Sequence, residues 1–126
     1  MKRSLSLLAL PLLLALGAGA HAACVYPQAP QTLPNGGKAT KEEMLAAQAQ
    51  VKEYSKTVQE VYLPCLETEK NESIAALDNM DPEYTQKKAN VEAVHAKKHN
   101  AALDELTALV NRWAEERKAY SAAQTK

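Results

Sequence analysis

The most regular feature of the chain is an apolar pattern that recurs every seven residues after residue 40. Such spacing places apolar side chains on one face of an α-helix. Thr40 and Glu43 form a capping-box sequence, in which each side chain accepts a hydrogen bond from the backbone N–H of the other residue. The pattern therefore predicts a helix over about residues 41–78. Its buried face comprises Met44, Val51, Val58 and Cys65, widened by Tyr54, Val61, Tyr62 and Leu66.

A second apolar pattern predicts a helix over about residues 82–122. Asp81 suits the N-cap, and Pro82 suits the first helical position, where its missing N–H costs nothing. At about 100° per residue the apolar positions fall on one side of this helix, which Leu103 and Val110 broaden. The buried face comprises Tyr84, Val91, His95, Ala102, Leu106, Leu109, Trp113 and Tyr120.

Glycine and proline separate the helices from an N-terminal arm. Beyond residue 22, every glycine lies in the turn sequence Pro34–Gly37, and three of the five prolines lie at positions 27, 30 and 34. Residues 23–40 are therefore predicted to form an extended arm that ends in a turn. Pro64 lies inside the first predicted helix, where it removes a backbone donor and crowds the carbonyl four residues earlier. We expect a kink or break near Glu60–Pro64.

Together these elements predict an all-α fold, in which residues 41–126 form an antiparallel two-helix hairpin. A short connection between two long helices makes them antiparallel neighbours. The 11-residue spacing of Val91, Ala102 and Trp113 is close to the period of a straight helix. It therefore favours an ordinary hairpin over a long supercoiled coil.

Residues 1–22 have the layout of a secretory signal peptide. Lys2 and Arg3 precede an apolar run, and small residues lead to the cleavage sequence Ala20–Ala22, with Ala18–Ala20 as the alternative. The run is shorter than the roughly 20 apolar residues that span a bilayer, and Pro11 interrupts it. We predict a cleaved leader, no integral membrane segment, and a periplasmic or secreted product.

Cys24 and Cys65 are the only cysteines, and two cysteines in an oxidising compartment usually pair. The 25 residues of helix from Thr40 to Cys65 cover about 37 Å. The 16 residues from Cys24 to Thr40 reach about 50 Å when extended. We expect an intramolecular disulfide that holds the arm along the first helix. An intermolecular disulfide and a lipid on Cys24 are the alternatives, although His21 replaces the leucine usual in lipoprotein signals.

Removal of the leader leaves 13 Lys and Arg residues against 15 Asp and Glu residues, a net charge of −2. This balance argues against a nucleic-acid partner, which needs a basic face, and gives little attraction to anionic lipids. The chain has no phenylalanine and one tryptophan, so its core is thin. Small thin cores need a covalent staple or an oligomer, and we expect a homodimer that forms a four-helix bundle.

His95 and His99 are one helical turn apart, with Glu92 close to the same side, and such residues can share a metal ion. Lys97 and Lys98 oppose a cation, and too few ligands can be named, so we predict no metal site and no cofactor. The sequence shows no nucleophile–base set, and we expect no enzymatic activity. Adjacent charges that we expect on the solvated surface are Lys87–Lys88, Lys97–Lys98, Asp104–Glu105 and Glu115–Glu116.

Three segments resemble small exported proteobacterial proteins of unassigned function. They are Cys24–Pro27 (CVYP), Ala39–Leu45 (ATKEEML) and Tyr62–Glu67 (YLPCLE), and they cover about the first half of the chain after the leader. The resemblance implies that the two cysteines belong to one structural framework, and it brings no activity. In size and helix content the chain is also similar to small helical periplasmic chaperones, although it lacks their L-T-x-x-Q repeats.

These observations favour a non-enzymatic envelope protein that binds another protein or a second copy of itself, with a chaperone as one version. A lone helix pair leaves flanking apolar residues exposed, and such strips usually meet a partner. The alternative is a small metal- or ligand-binding periplasmic carrier that uses Glu92, His95 and His99. The expected partner-binding residues on the second helix are Leu103, Leu106, Leu109, Val110 and Trp113.

Overall fold

The computed structural model describes residues 23–126, which form helices and irregular segments but no strand. The predicted leader, residues 1–22, lies outside the described residues. Within the described residues no helix is long and apolar enough to cross a membrane. Helix α1 spans Lys41–Thr57, a π-helical segment spans Val58–Tyr62, α2 spans Leu63–Ala75, and α3 spans Tyr84–Gln124.

Helix α1 begins at the capping box that the sequence predicts. The Thr40 hydroxyl accepts a hydrogen bond from the Glu43 N–H (3.2 Å), and the Glu43 carboxylate accepts one from the Thr40 N–H (2.7 Å). These bonds satisfy donors that no helical carbonyl can reach. Just before the helix, the carbonyl of Asn35 accepts the N–H groups of Lys38 and Ala39, which closes the turn between the arm and α1.

The helical backbone departs from α geometry immediately before Pro64. The Leu63 N–H bonds to the carbonyl of Val58, five residues earlier, in the π pattern. Pro64 has no N–H to offer the carbonyl of Glu60, and its ring crowds that carbonyl, so a wider turn at this point relieves both problems. The expected break near Pro64 thus takes the form of a π-helical segment that begins at Val58.

Helix α1, the π-helical segment and α2 follow one another without a gap and form the first helical stretch, and α3 forms the second. The π-helical segment keeps the apolar face of the first stretch in one direction. Buried residues follow at steps of four from Tyr54 through Val58 and Tyr62 to Leu66. In a regular α-helix each step of four residues overshoots a full turn, and the three steps together would move the side chains about 120° around the helix axis. A π turn contains one more residue than an α turn, and this extra residue offsets about 100° of that rotation. The predicted burial of Val61 is wrong: it is 62% exposed, because the wider turn rotates it outward.

The connection between α2 and α3 is longer than the sequence predicts. Helix α2 ends three residues before the expected boundary, and α3 starts and ends two residues after its expected boundaries. The N-cap of α3 is Glu83 and not Asp81. Asp81 instead closes the preceding turn, where its carboxylate accepts the Glu83 N–H (2.7 Å) and the Lys87 ammonium (2.5 Å).

A single apolar core joins the helices and part of the arm. Its most deeply buried large side chains are Val58 and Leu109, one from each helical stretch. Medium aliphatic residues and tyrosines fill the space, as expected for a chain without phenylalanine. The apolar core residues are Ala29, Met44, Ala47, Val51, Tyr54, Val58, Tyr62, Leu66, Ala102, Leu106, Leu109 and Trp113.

Residues of α1 and α2 line cavities together with residues of α3. Met44 of α1 and Trp113 of α3 line one cavity, whereas Leu66 of α2 and His95 near the start of α3 line another. The arm passes back along α1 from Cys24. Its residues 27–30 line a cleft with Ala49–Thr57, so irregular chain covers one flank of the helices.

Candidate functional site

A disulfide fixes the start of the arm to α2. Cys24 and Cys65 are bonded, with their Cα atoms 5.8 Å apart, so the predicted pairing is confirmed. A cysteine sulfur that is joined to another cysteine has no free valence for a lipid. The disulfide and a lipoprotein anchor on Cys24 therefore exclude one another.

Glu69 joins the arm, α2 and α3 beside this disulfide. Its carboxylate accepts hydrogen bonds from the Cys24 N–H (3.3 Å), the His95 Nε2 (3.2 Å) and the Lys98 ammonium (2.9 Å). The Lys98 hydrogen bond contributes most to holding the pKa of Glu69 below its ordinary value, in spite of partial burial. The contact thus depends on an ionised carboxylate.

His95 is the buried polar side chain of α3, with 8% of its surface exposed. Its Nδ1 lies 2.9 Å from the carbonyl oxygen of Val91, and its Nε2 lies 3.2 Å from the Glu69 carboxylate. Both partners are acceptors, so both hydrogen bonds form together when each ring nitrogen carries a proton. A metal ion at His95 would have to replace one of these bonds.

The other two candidate metal ligands, Glu92 and His99, line a cavity of about 350 Å³ between α2 and α3. Glu92 lies 3.9 Å from the Lys88 ammonium, and across the cavity Glu67 lies 2.7 Å from the Lys70 ammonium. Within residues 23–126 no group of three or more His, Cys, Asp or Glu side chains is placed to hold a metal ion. The carboxylates of Glu67 and Glu92, which face this cavity, are therefore each paired with a lysine ammonium.

Tyr26 fixes the next part of the arm. Its ring meets the ring of Tyr62 edge to face, with centroids 5.0 Å apart. Its hydroxyl donates to the Glu105 carboxylate and lies 3.3 Å from the Tyr54 hydroxyl. Partial burial, followed by these hydrogen bonds, raises the pKa of Tyr26 above its ordinary value. The neutral hydroxyl therefore acts as a donor that links the arm to α3.

Gly36 brings the end of the arm against the backbone of α3. Its N–H donates to the Glu116 carboxylate at 2.6 Å. A Cβ at this position would lie 1.8 Å from the Glu116 carbonyl oxygen and 2.9 Å from the backbone nitrogen of Tyr120. Only glycine has room for this approach. A Cβ at Gly37, by contrast, would meet nothing nearer than the Asn35 Oδ1 at 3.4 Å.

Lys98, Glu105 and Glu116 follow one line along α3 and are termed the arm stripe. Their spacings of 7 and 11 residues return close to the same helical angle. Lys98 and Glu105 are exposed, as expected for the solvated surface, whereas Glu116 is partly buried. Each also holds the arm, either directly or through Glu69. The sequence feature that could have indicated this line is the 11-residue spacing of Glu105 and Glu116, which is also the spacing of Ala102 and Trp113 on the apolar face.

Within residues 23–126 the arm does not cover the opposite flank of α3, which is termed the open side. Leu103 and Val110 lie about 120–160° around the helix from the arm stripe and are 36% and 42% exposed. Leu45 of α1, which is 55% exposed, lines a cavity of about 290 Å³ at one end of this flank. The cavity that contains His99 lies at the other end.

Three of the five predicted partner-binding residues belong to the core of the chain itself. Leu106, Leu109 and Trp113 are 7%, 0% and 6% exposed, so they are not available to a partner. Leu103 and Val110 are the two that reach the surface. Leu103 and Val110 at the edge of the apolar face are seven residues apart, and so are Leu106 and Trp113 at its centre. The repeat alone therefore does not distinguish exposed from buried positions.

No known protein family, curated protein or solved structure matches this chain. Its role must therefore be inferred from the two flanks of its helices. One flank is closed by the arm through the disulfide, Glu69 and the arm stripe. The other is open, apolar at its middle, and bounded by a cavity at each end.

Proposed function

We propose that the chain is a non-enzymatic exported protein that acts as a helical protein-binding module through its open side. The observation that carries this proposal is the exposure of Leu103 and Val110 between the two cavities of that flank. Exposed apolar strips of this kind usually meet a partner. The arm supplies cover on the other flank, so a partner has one side of the helices to bind.

In this proposal the two helical stretches form an antiparallel hairpin. The cavities support this arrangement, because one pairs Met44 with Trp113 and the other pairs Leu66 with His95. The predicted leader and the disulfide support a periplasmic or secreted location, since disulfides persist in oxidising compartments. The disulfide also favours a product without a lipid on Cys24.

The simplest partner is a second copy of the chain. A two-fold axis near Leu103 and Val110 would bring the same strip of both copies together, as closed symmetric dimers do. Lys41 and Arg117, which line the cavity at one end, would then approach the end of the other copy that carries Glu67 and Glu92. The product is a four-helix bundle with the arms on its outer faces.

A photo-crosslinking amino acid at position 103 of the exported chain tests this proposal. We expect a covalent adduct with the mass of two chains after illumination in the cell envelope. The matched control carries the same amino acid at Val94, which is 53% exposed and lies about 180° around α3 from Leu103. Equal adducts from both positions, or none from position 103, would contradict an open-side interface.

The carrier hypothesis makes a different prediction. A carrier that uses Glu92, His95 and His99 would bind zinc or copper, and His95→Ala with His99→Ala would abolish that binding. Because both nitrogens of His95 are already hydrogen-bonded, we expect no difference between the two proteins in calorimetric titration. A tight site lost in the double variant would replace the protein-binding proposal.

A further inference from the structure

Asn35 and Gly36 form the single Asn-Gly sequence of the chain, in the turn where the arm reaches α3. In such a pair the glycine nitrogen can attack the asparagine side chain, because no glycine side chain obstructs it. We propose that Asn35 is a self-modification site, that docking of Gly36 on Glu116 blocks its deamidation, and that deamidation undocks the end of the arm. This inference does not depend on whether the open side binds a partner.

The reaction needs only water. The Gly36 nitrogen loses its proton and attacks Cγ of Asn35, so that an N–Cγ bond forms, the Cγ–Nδ2 bond breaks, and Nδ2 leaves as ammonia. Water then opens the five-membered imide at either carbonyl. The product is an aspartyl or an isoaspartyl residue at position 35.

The docked turn holds the attacking atom in an unreactive state. The proton that must leave Gly36 is donated to the Glu116 carboxylate at 2.6 Å. Its removal would set a nitrogen anion against a carboxylate, and like charges at such a distance disfavour ionisation. Gly36 is also buried against the backbone of α3. The rotation that would bring its nitrogen to Cγ of Asn35 is therefore resisted.

Neither product fits the docked position. An isoaspartyl residue lengthens the backbone by one carbon immediately before Gly36. Gly36 already lies so close to the backbone of α3 that not even a Cβ has room there, so the longer backbone displaces it. An aspartyl residue adds a negative charge one residue before Gly36, whose N–H donates to the Glu116 carboxylate, and like charges repel. Each product loosens the contact that prevented its formation, so the change proceeds in one direction. The Cys24–Cys65 disulfide still holds the start of the arm.

Deamidation of the disulfide-bonded chain in warm, mildly alkaline buffer tests the block. Peptide mass spectrometry measures ammonia loss at Asn35 in the wild type, in Glu116→Ala and in the matched control Glu115→Ala. We expect Glu116→Ala to react about fivefold faster than the wild type, the rate equivalent of one hydrogen bond. Glu115→Ala should react as the wild type does, because Glu115 is exposed and makes no contact with the arm in the described structure.

Two results would overturn the proposal. One is a wild-type rate equal to that of a free peptide of residues 31–40, and the other is equal rates in Glu116→Ala and the wild type. If Glu116→Ala does not fold, Glu116→Gln takes its place. This variant keeps a hydrogen-bond acceptor but loses the charge, so Asn35 should deamidate at a rate between those of the wild type and the free peptide. Undocking is read separately, from faster hydrogen exchange at residues 34–39 of the deamidated chain, and unchanged exchange there would refute it.

Discussion

The arm side and the open side of the helices differ in what they offer to a neighbouring segment. The arm side presents carboxylates to backbone donors: Glu69 accepts the Cys24 N–H, and Glu116 accepts the Gly36 N–H. The open side presents the apolar side chains of Leu103 and Val110. An irregular segment pairs few of its own N–H groups, so where it packs on helices the helices must supply acceptors.

This difference explains why an arm can take the place of a third helix on one flank. A packed helix would offer only side chains, and an apolar flank would suit it. The arm offers backbone N–H groups and a tyrosine hydroxyl, and the acidic members of the arm stripe match them. The middle of the open side presents the apolar side chains of Leu103 and Val110 instead, so we expect its partner to be a helix.

Loss of the disulfide has the largest expected effect on the arm side. The bond closes a loop with a sequence separation of 41, for which the chain-entropy relation gives about 4 kcal/mol. Cys24→Ser with Cys65→Ser should lower the free energy of unfolding in urea by about that amount. Circular dichroism should show that most helix remains, because the buried core consists of other side chains, against which Cys24 only packs. An unchanged urea midpoint would mean that the arm contacts suffice alone.

Replacement of Gly36 comes next. A Cβ there would lie 1.8 Å from a backbone carbonyl oxygen that cannot move without bending α3. Gly36→Ala should therefore cost about 1–3 kcal/mol, as overpacked substitutions do, and should increase protease cleavage in the arm. Gly37→Ala is the matched control and should change stability by less than about 0.5 kcal/mol. Equal effects of both substitutions would refute the close approach of the arm to α3.

Glu69 makes the arm side sensitive to acid. Its folded pKa lies below the ordinary value of 4.5, so folding favours the ionised form. The resulting stability is fully present above the ordinary value and is lost as the pH falls through the folded pKa. Glu69→Gln should be less stable than the wild type at neutral pH, and the difference should vanish in strong acid. Urea unfolding across that range measures this, and Glu115→Gln should keep the wild-type acid dependence.

Periodicity made the helices and most of their buried faces predictable from the sequence. The capping box at Thr40 and the apolar repeat depend only on residues that are close in the sequence, so they can be recognised without knowledge of the tertiary structure. The predicted burial of Val61 was wrong because the π-helical segment before Pro64 changes the register of one turn. That shift depends on how the backbone relieves the proline, which a fixed angle per residue does not describe.

The arm stripe was not predictable by the same means. Lys98 and Glu105 belong to pairs of adjacent charges, and only the path of the arm decides which member of a pair it meets. That path is set by the disulfide and by the space beside Gly36, which are tertiary features. Sequence spacing can suggest such a stripe once an arm is known to pass over the helix.

The smallest effect on stability is expected on the open side. Leu103 and Val110 are partly exposed, so Leu103→Glu with Val110→Glu should change the free energy of unfolding by about 0.5 kcal/mol or less. The same change should shift sedimentation equilibrium at micromolar concentration from dimer to monomer, because two charges enter an apolar contact. Val94→Glu is the control and should leave the dimer intact. A wild-type chain that is monomeric and still unfolds cooperatively would exclude self-association and assign the open side to a different protein.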